Sequence, residues 1–260
     1  MKKTYLYLAV VLVIVGVVLV LVEFGAPNAN AQLVQYNNRP VPQSVVSQLT
    51  VPVSVSNAIG IGSDTVSGLQ KKNNSVMYVN GKPAVIYIGA EYCPFCATTR
   101  WGLIIALMRF GTFGNLHYMT SNASDVYPNT PTFTFVNSTY SSSYISFVSV
   151  ETESYSKQPL QTLNASEQNL VAKYNPVGSI PFIVFANESV QVGSIASPGV
   201  LQGRNWNGTI ANLTNSSSGV AQAIVGNADI YTAQICKMTN FTPADVCNQS
   251  YVKQIASQLG

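Results

Sequence analysis

Two cysteines separated by two residues, Cys93-Pro94-Phe95-Cys96, are the part of the chain best equipped for covalent chemistry. They follow residues 84–88, a short apolar, β-branched run of the kind that forms a buried strand. Residues 89–92 interrupt that run. From Ala97 onward, Trp101, Ile104, Ile105 and Met108 recur at the three-to-four spacing of a helix with one buried face. Pro94 falls in the first turn of that helix, where its missing N–H has no intrahelical partner to lose. Cys93 then stands at the positive end of a helix dipole, among unpaired backbone N–H groups. Such a position favours the thiolate, which is the nucleophile of disulfide exchange. Cys96, one turn further on, is close enough to close a disulfide with it. The pattern points to dithiol–disulfide chemistry, with Cys93 as the attacked or attacking sulfur and Cys96 as the resolving one.

Strand, turn, Cys-Pro-aromatic-Cys and helix together resemble the active site of the thioredoxin superfamily, most of all its DsbA-like and glutaredoxin-like branches. A second segment, Gly178-Ser-Ile-Pro-Phe-Ile-Val-Phe185, resembles the cis-proline segment of that superfamily. The resemblance implies that Pro181 and Ile180, with Pro94 and Phe95, hold substrate backbone beside the dithiol. It also implies that residues 167–174 are the connecting helix and residues 189–195 the next strand. The matching segments run from about residue 76 to about residue 200. The whole chain is also similar to an uncharacterised family of membrane-anchored archaeal proteins with this domain. Two departures stand out. The superfamily's buried acid, six residues before the first cysteine, is Tyr87 here, and no histidine lies between the cysteines. The single histidine, His117, is distant in sequence. Glu91 is read as a solvated turn residue, with proton handling as the alternative.

The elements that position these residues can be read along the chain. Lys2 and Lys3 precede residues 4–22, an almost wholly apolar and uncharged stretch. Nineteen residues at about 1.5 Å each reach close to 30 Å, enough to cross a bilayer core. The two lysines place the N-terminus inside and the remainder outside. Ala29-Asn-Ala31 is a small-x-small site, so a signal segment cleaved near Ala31 is the alternative. Either way the remainder is extracytoplasmic. Residues 24–56, with Pro40, Pro42 and Pro52, read as a tether, and residues 57–260 as the packed domain. Asn80-Gly81 suits a type I′ hairpin turn leading into the strand before the dithiol. Two alternating runs, residues 131–136 and 144–150, read as a β-hairpin inserted within residues 121–162. Tyr127, Phe133, Phe135, Tyr140 and Tyr144 are read as core, with a substrate-facing aromatic surface as the alternative. A helical extension follows from about residue 198 to residue 260, with Thr242 as a cap and Pro243 at the first helical position. Cys236 and Cys247 flank the loop between its last two helices, a natural place for a structural disulfide in an oxidising compartment. Exchange of that pair with Cys93 and Cys96 is the alternative. The fold expected is therefore α/β: a thioredoxin-like fold with a β-rich insertion and a C-terminal helical extension, preceded by a transmembrane helix.

Composition narrows the function. Charged residues are 9% of the chain and the net charge is +3, with no basic run after Lys3, so there is no footprint for nucleic acid. Asn73, Asn122, Asn137, Asn164, Asn187, Asn207, Asn212, Asn215, Asn240 and Asn248 each open an Asn-x-Ser/Thr sequon, all beyond the apolar stretch, as in an N-glycosylated exterior protein. The expected function is a membrane-tethered thiol–disulfide oxidoreductase acting on secreted or cell-surface proteins. It needs no bound cofactor, and it exchanges electrons with a membrane redox partner. The alternative is a thioredoxin-like binding or scaffold module whose thiols hold a metal such as Zn²⁺ or Cu(I).

Overall fold

A computed structural model describes residues 31–72 and 74–259. The apolar stretch of residues 4–22, the cleavage site and the first part of the expected tether lie outside the described residues. Among the described residues, no helix is long and apolar enough to cross a membrane.

The chain enters through a short 3₁₀ turn and the helices α1 (Gln43–Val46) and α2 (Val53–Ile59). This corrects the expectation of a tether reaching residue 56. Leu33, Val41, Val46, Leu49 and Val51 are all buried in the main hydrophobic core. The prolines shorten the helices without keeping the segment out of the core, because Pro42 and Pro52 sit at N-caps, where no backbone N–H is needed. Next come β1 (Gln70–Lys71), β2 (Tyr78–Val79) and β3 (Lys82–Gly89). Asn80 and Gly81 both have positive φ, 51° and 74°, as the β2–β3 turn demands.

After β3 come helix α3 (Pro94–Met108) and the strands β4 (Gly111–Gly114), β5 (His117–Thr120), β6 (Pro131–Thr134), β7 (Thr139–Ser142) and β8 (Ser146–Glu151). Helix α4 (Ala165–Tyr174) leads to β9 (Phe182–Phe185) and β10 (Ser189–Val192), and then to α5 (Trp206–Leu213) and α6 (Gly226–Met238). The short α7 (Ala244–Cys247) and α8 (Ser250–Ala256) close the described chain. Helix α4 carries a full capping box: Asn164 accepts from the Glu167 N–H, and the Glu167 carboxylate accepts from the Asn164 N–H. Thr242 does not cap α7; the Thr242–Pro243 bond is cis and Pro243 is the N-cap residue. The expected final helix is split in two at Asn248–Gln249.

The architecture is mixed α/β. The central sheet is six-stranded: β1, β10, β9, β3 and β2 in order, with β8 pairing to β3 beyond the β2 contact. β3 is antiparallel to β9 and parallel to β8, in register from Ala84 opposite Ser146 to Gly89 opposite Glu151. The two faces of β3 feed different cores. Val85 and Tyr87 join the main core with α3 and α6, whereas Ala84, Ile86 and Ile88 pack with Leu170, Val171 and Tyr174 of α4. Burial on both sides is why the run is apolar without alternation.

The segment expected as an inserted hairpin is arranged differently. β6 pairs with β5, β7 pairs with β4, and β8 joins the central sheet. Its aromatic residues divide accordingly: Phe133 and Phe135 are core, and Tyr144 is exposed. The β5–β6 pair covers one side of α3 and α6 covers another, so α3 is buried nearly all round rather than on one face. Gly102 makes the α3–α6 approach possible: a Cβ there would lie 2.6 Å from Asn227 Oδ1.

Candidate redox site

Cys93 is the N-cap residue of α3, with Pro94 opening the helix, as the sequence predicts. Its sulfur accepts a hydrogen bond from the Cys96 N–H at 3.3 Å. Both cysteines are free thiols; Cys93 is 5% exposed and Cys96 is fully buried. They form a small apolar cluster with Ala90, against which Tyr92 and Ile180 pack. The Ile180–Pro181 peptide bond is cis. A segment 85 positions further along the chain is therefore brought to the dithiol, as the resemblance implies. Phe95 is 38% exposed and meets the Tyr127 ring edge-on at 5.9 Å, so Tyr127 borders the dithiol rather than the core.

The electrostatics divide the two sulfurs. The Cys93 thiol is held below its ordinary value, first by the hydrogen bond with the Cys96 side chain, then by the Cys96 N–H and the charge of Arg100, with burial opposing. Burial and the neighbouring Cys93 sulfur push the Cys96 thiol well above its ordinary value. Cys93 is thus the sulfur more readily ionised, and Cys96 the one that favours its protonated form.

Beneath the dithiol lies a charge network that sequence reading missed. Arg100, one turn beyond Cys96 on α3, is fully buried. Its Nη1 donates to both Glu151 carboxylate oxygens at 2.9 and 3.0 Å, to the Tyr87 hydroxyl and to the Ala90 carbonyl. Burial alone would lower the Arg100 pKa, but Glu151, with Tyr87 and Cys96, holds it above its ordinary value. Burial raises the Glu151 carboxyl, with Arg100 opposing. An arginine does not deprotonate in a folded protein, so the pair is ionic. Tyr87 of β3 and Glu151 of β8, the strand parallel to it, thus meet on one guanidinium. Glu91 is also buried rather than solvated, accepting from Thr134 Oγ1 at 2.7 Å and from the Tyr155 N–H at 3.3 Å. The available signal was Arg100 standing as the only charge in the otherwise uncharged stretch of residues 92–108, since a cation inside a buried helix requires a buried anion.

Cys236 and Cys247 are joined in a disulfide across the α6–α7 loop, and both are fully buried. They are spent as ligands, so a metal held by Cys93 and Cys96 would have to be completed by other groups. Of the sequons, Asn122 donates its amide to the Tyr155 carbonyl and Asn187 to the Ser75 carbonyl, so those two amides serve the fold.

No match was found among curated proteins or solved structures. The model of the family described as domain of unknown function (DUF929) matches residues 69–237, a span that holds Cys93, Cys96, Arg100, Glu151, Ile180 and Pro181, and with most of its length so matched the chain belongs to that family.

Proposed function

We propose that the protein is an extracytoplasmic thiol–disulfide oxidoreductase with a thioredoxin-like fold, tethered to the membrane by residues 4–22 and acting on secreted or surface proteins. The observation that carries this reading is the Cys93 sulfur at a helix N-cap, hydrogen-bonded by Cys96 N–H, with the cis Ile180–Pro181 segment packed against the same pair.

In the oxidised protein a substrate thiolate attacks Cys93 Sγ. The Cys93–Cys96 bond breaks, a mixed disulfide forms, and Cys96 leaves as a thiolate that takes up a proton. A second substrate thiolate then attacks the substrate sulfur of the mixed disulfide and releases Cys93 as a thiolate. The substrate gains a disulfide and loses two electrons, which now reside on the Cys93/Cys96 dithiol. Returning them requires a membrane redox partner carrying a disulfide or a quinone. The lowered Cys93 pKa makes it the better leaving group and stabilises the reduced form, which favours the oxidising direction.

An equilibrium redox titration in glutathione buffers tests the reading. A reversible Cys93/Cys96 couple at about −120 to −200 mV is expected for an oxidant or isomerase. Absence of any reversible couple would overturn the proposal.

A further inference from the structure

We infer that a pocket walled by Tyr36, Tyr118 and Trp206 seats an N-linked glycan carried by the chain's own Asn207. The inference rests on the extracytoplasmic placement proposed above. The pocket is a concavity of about 380 Å³, lined by these three rings and by the amide side chains of Gln32, Gln35 and Asn207. Its volume falls in the usual range for small-molecule sites, about 300–1,000 Å³. Among the described residues no charged side chain lines it. Gln32, Gln35 and Tyr36 come from the entering 3₁₀ turn, Tyr118 from β5, and Trp206 and Asn207 from the first turn of α5. The chain just after the 3₁₀ turn is pinned to β5. There the Asn38 N–H donates to the Tyr118 carbonyl at 2.9 Å, and the Tyr118 N–H donates to the Arg39 carbonyl at 3.0 Å.

This lining has the chemistry of a saccharide site. A pyranose presents C–H bonds on its faces and hydroxyls around its edge. The C–H faces pack on aromatic rings, whose π-faces are negative, and the hydroxyls pair with amides and phenols, which both donate and accept. The amides of Gln32, Gln35 and Asn207 and the hydroxyls of Tyr36 and Tyr118 make no hydrogen bond among the described residues. Trp206 already donates its indole N–H to the Thr132 carbonyl at 2.6 Å, so it offers its ring alone. Arg39 lies over one face of Tyr36 at 5.1 Å, yet Tyr36 remains 40% exposed. Asn207 is the independent observation that names the occupant. It opens the sequon Asn207-Gly208-Thr209, is exposed and lines the pocket. The side-chain amides of Asn122, Asn164, Asn187 and Asn212 are spent on the fold, whereas that of Asn207 is uncommitted. Thr209 is fully buried and its hydroxyl donates to the Asn205 carbonyl at 2.9 Å, so the sugar is attached before α5 packs. A glycan fixed to the pocket wall has a high effective concentration there, which lets a neutral, weakly held sugar stay bound.

The test compares the full chain purified with its glycans and the full chain made in cells that lack N-glycosylation. Glycopeptide mass spectrometry is expected to find Asn207 occupied. In the glycosylated protein Asn207→Gln should lower the thermal midpoint by about 2–4 °C, and most of that loss should vanish in a Tyr36→Leu background. In the unglycosylated protein Asn207→Gln should change the midpoint little in either background. A bare Asn207 beside an occupied Asn137 or Asn248 would overturn this inference alone. If no sequon is occupied, the inference fails together with the extracytoplasmic placement. An occupied Asn207 whose loss costs the same with and without Tyr36 would show that the glycan is not seated in the pocket.

Discussion

Arg100 of α3 and Glu151 of β8 form an ion pair at 2.9 Å in which neither side chain has any exposure. Helix and strand are thereby joined directly under the dithiol, and the guanidinium also reaches the carbonyls of Ala90 and Glu91 in the turn before Cys93. Removing either partner leaves the other charge buried and uncompensated. Glu151→Gln and Arg100→Met are each expected to lower unfolding stability by about 3–5 kcal/mol, and the double change Arg100→Met/Glu151→Leu by much less than the sum. Denaturant titration of the three variants gives the coupling. Additive losses would show that the pair does not act as a unit.

The division between the two sulfurs has a reactivity signature. In the reduced protein, iodoacetamide should modify Cys93 with a pH midpoint below the free-thiol value of about 8.5 and leave Cys96 unmodified. Because the hydrogen bond with Cys96 is the leading cause of the lowering, Cys96→Ala should move the midpoint up. Because Cys93 is depressed in the folded state, its contribution to stability is fully present above the unfolded thiol's pKa and is lost as pH falls through the folded value. Equal alkylation of both sulfurs would contradict this account.

A carboxylate away from the dithiol sets a second pH dependence. Burial pushes Asp64 up to about 7, and its Oδ2 has no hydrogen-bond partner among the described residues. The native state therefore keeps this proton over a range in which the unfolded chain has released it. The associated stability is complete below about pH 4, near the ordinary Asp value, and is lost as pH rises toward 7. Asp64→Asn should raise the thermal midpoint at pH 8 and change it little at pH 4. Calorimetry at the two pH values checks the sign, and equal shifts at both would disprove the assignment.

The Cys236–Cys247 bond closes a separation of 11 residues between α6 and α7. By the chain-entropy estimate a loop of this size contributes about 3 kcal/mol. The double variant Cys236→Ala/Cys247→Ala should lose about that much stability while the Cys93/Cys96 titration stays in place. A displaced titration would mean that the two pairs exchange.

Much of the site was legible in the chain itself, because its signals are local. A β-branched run, a turn, and cysteines bracketing a proline at the first helical position specify a strand that delivers Cys93 to a helix N-terminus. Asn80-Gly81 specifies its hairpin by requiring two positive φ angles. Cys236 and Cys247 could be paired because a short loop limits where their chain can go. Tertiary structure decided what depends on pairing between distant segments. Strands β6 and β8 alternate alike in sequence yet go to different partners, and β7 forms in the polar stretch between the two runs, since alternation specifies a strand and not its neighbour. Pro40, Pro42 and Pro52 make their segment read as a tether; only its packing shows that the aliphatic residues between them are core. Ion pairing of Arg100 and Glu151, 51 positions apart, becomes visible only when β8 lies parallel to β3 and places a carboxylate under the active-site helix.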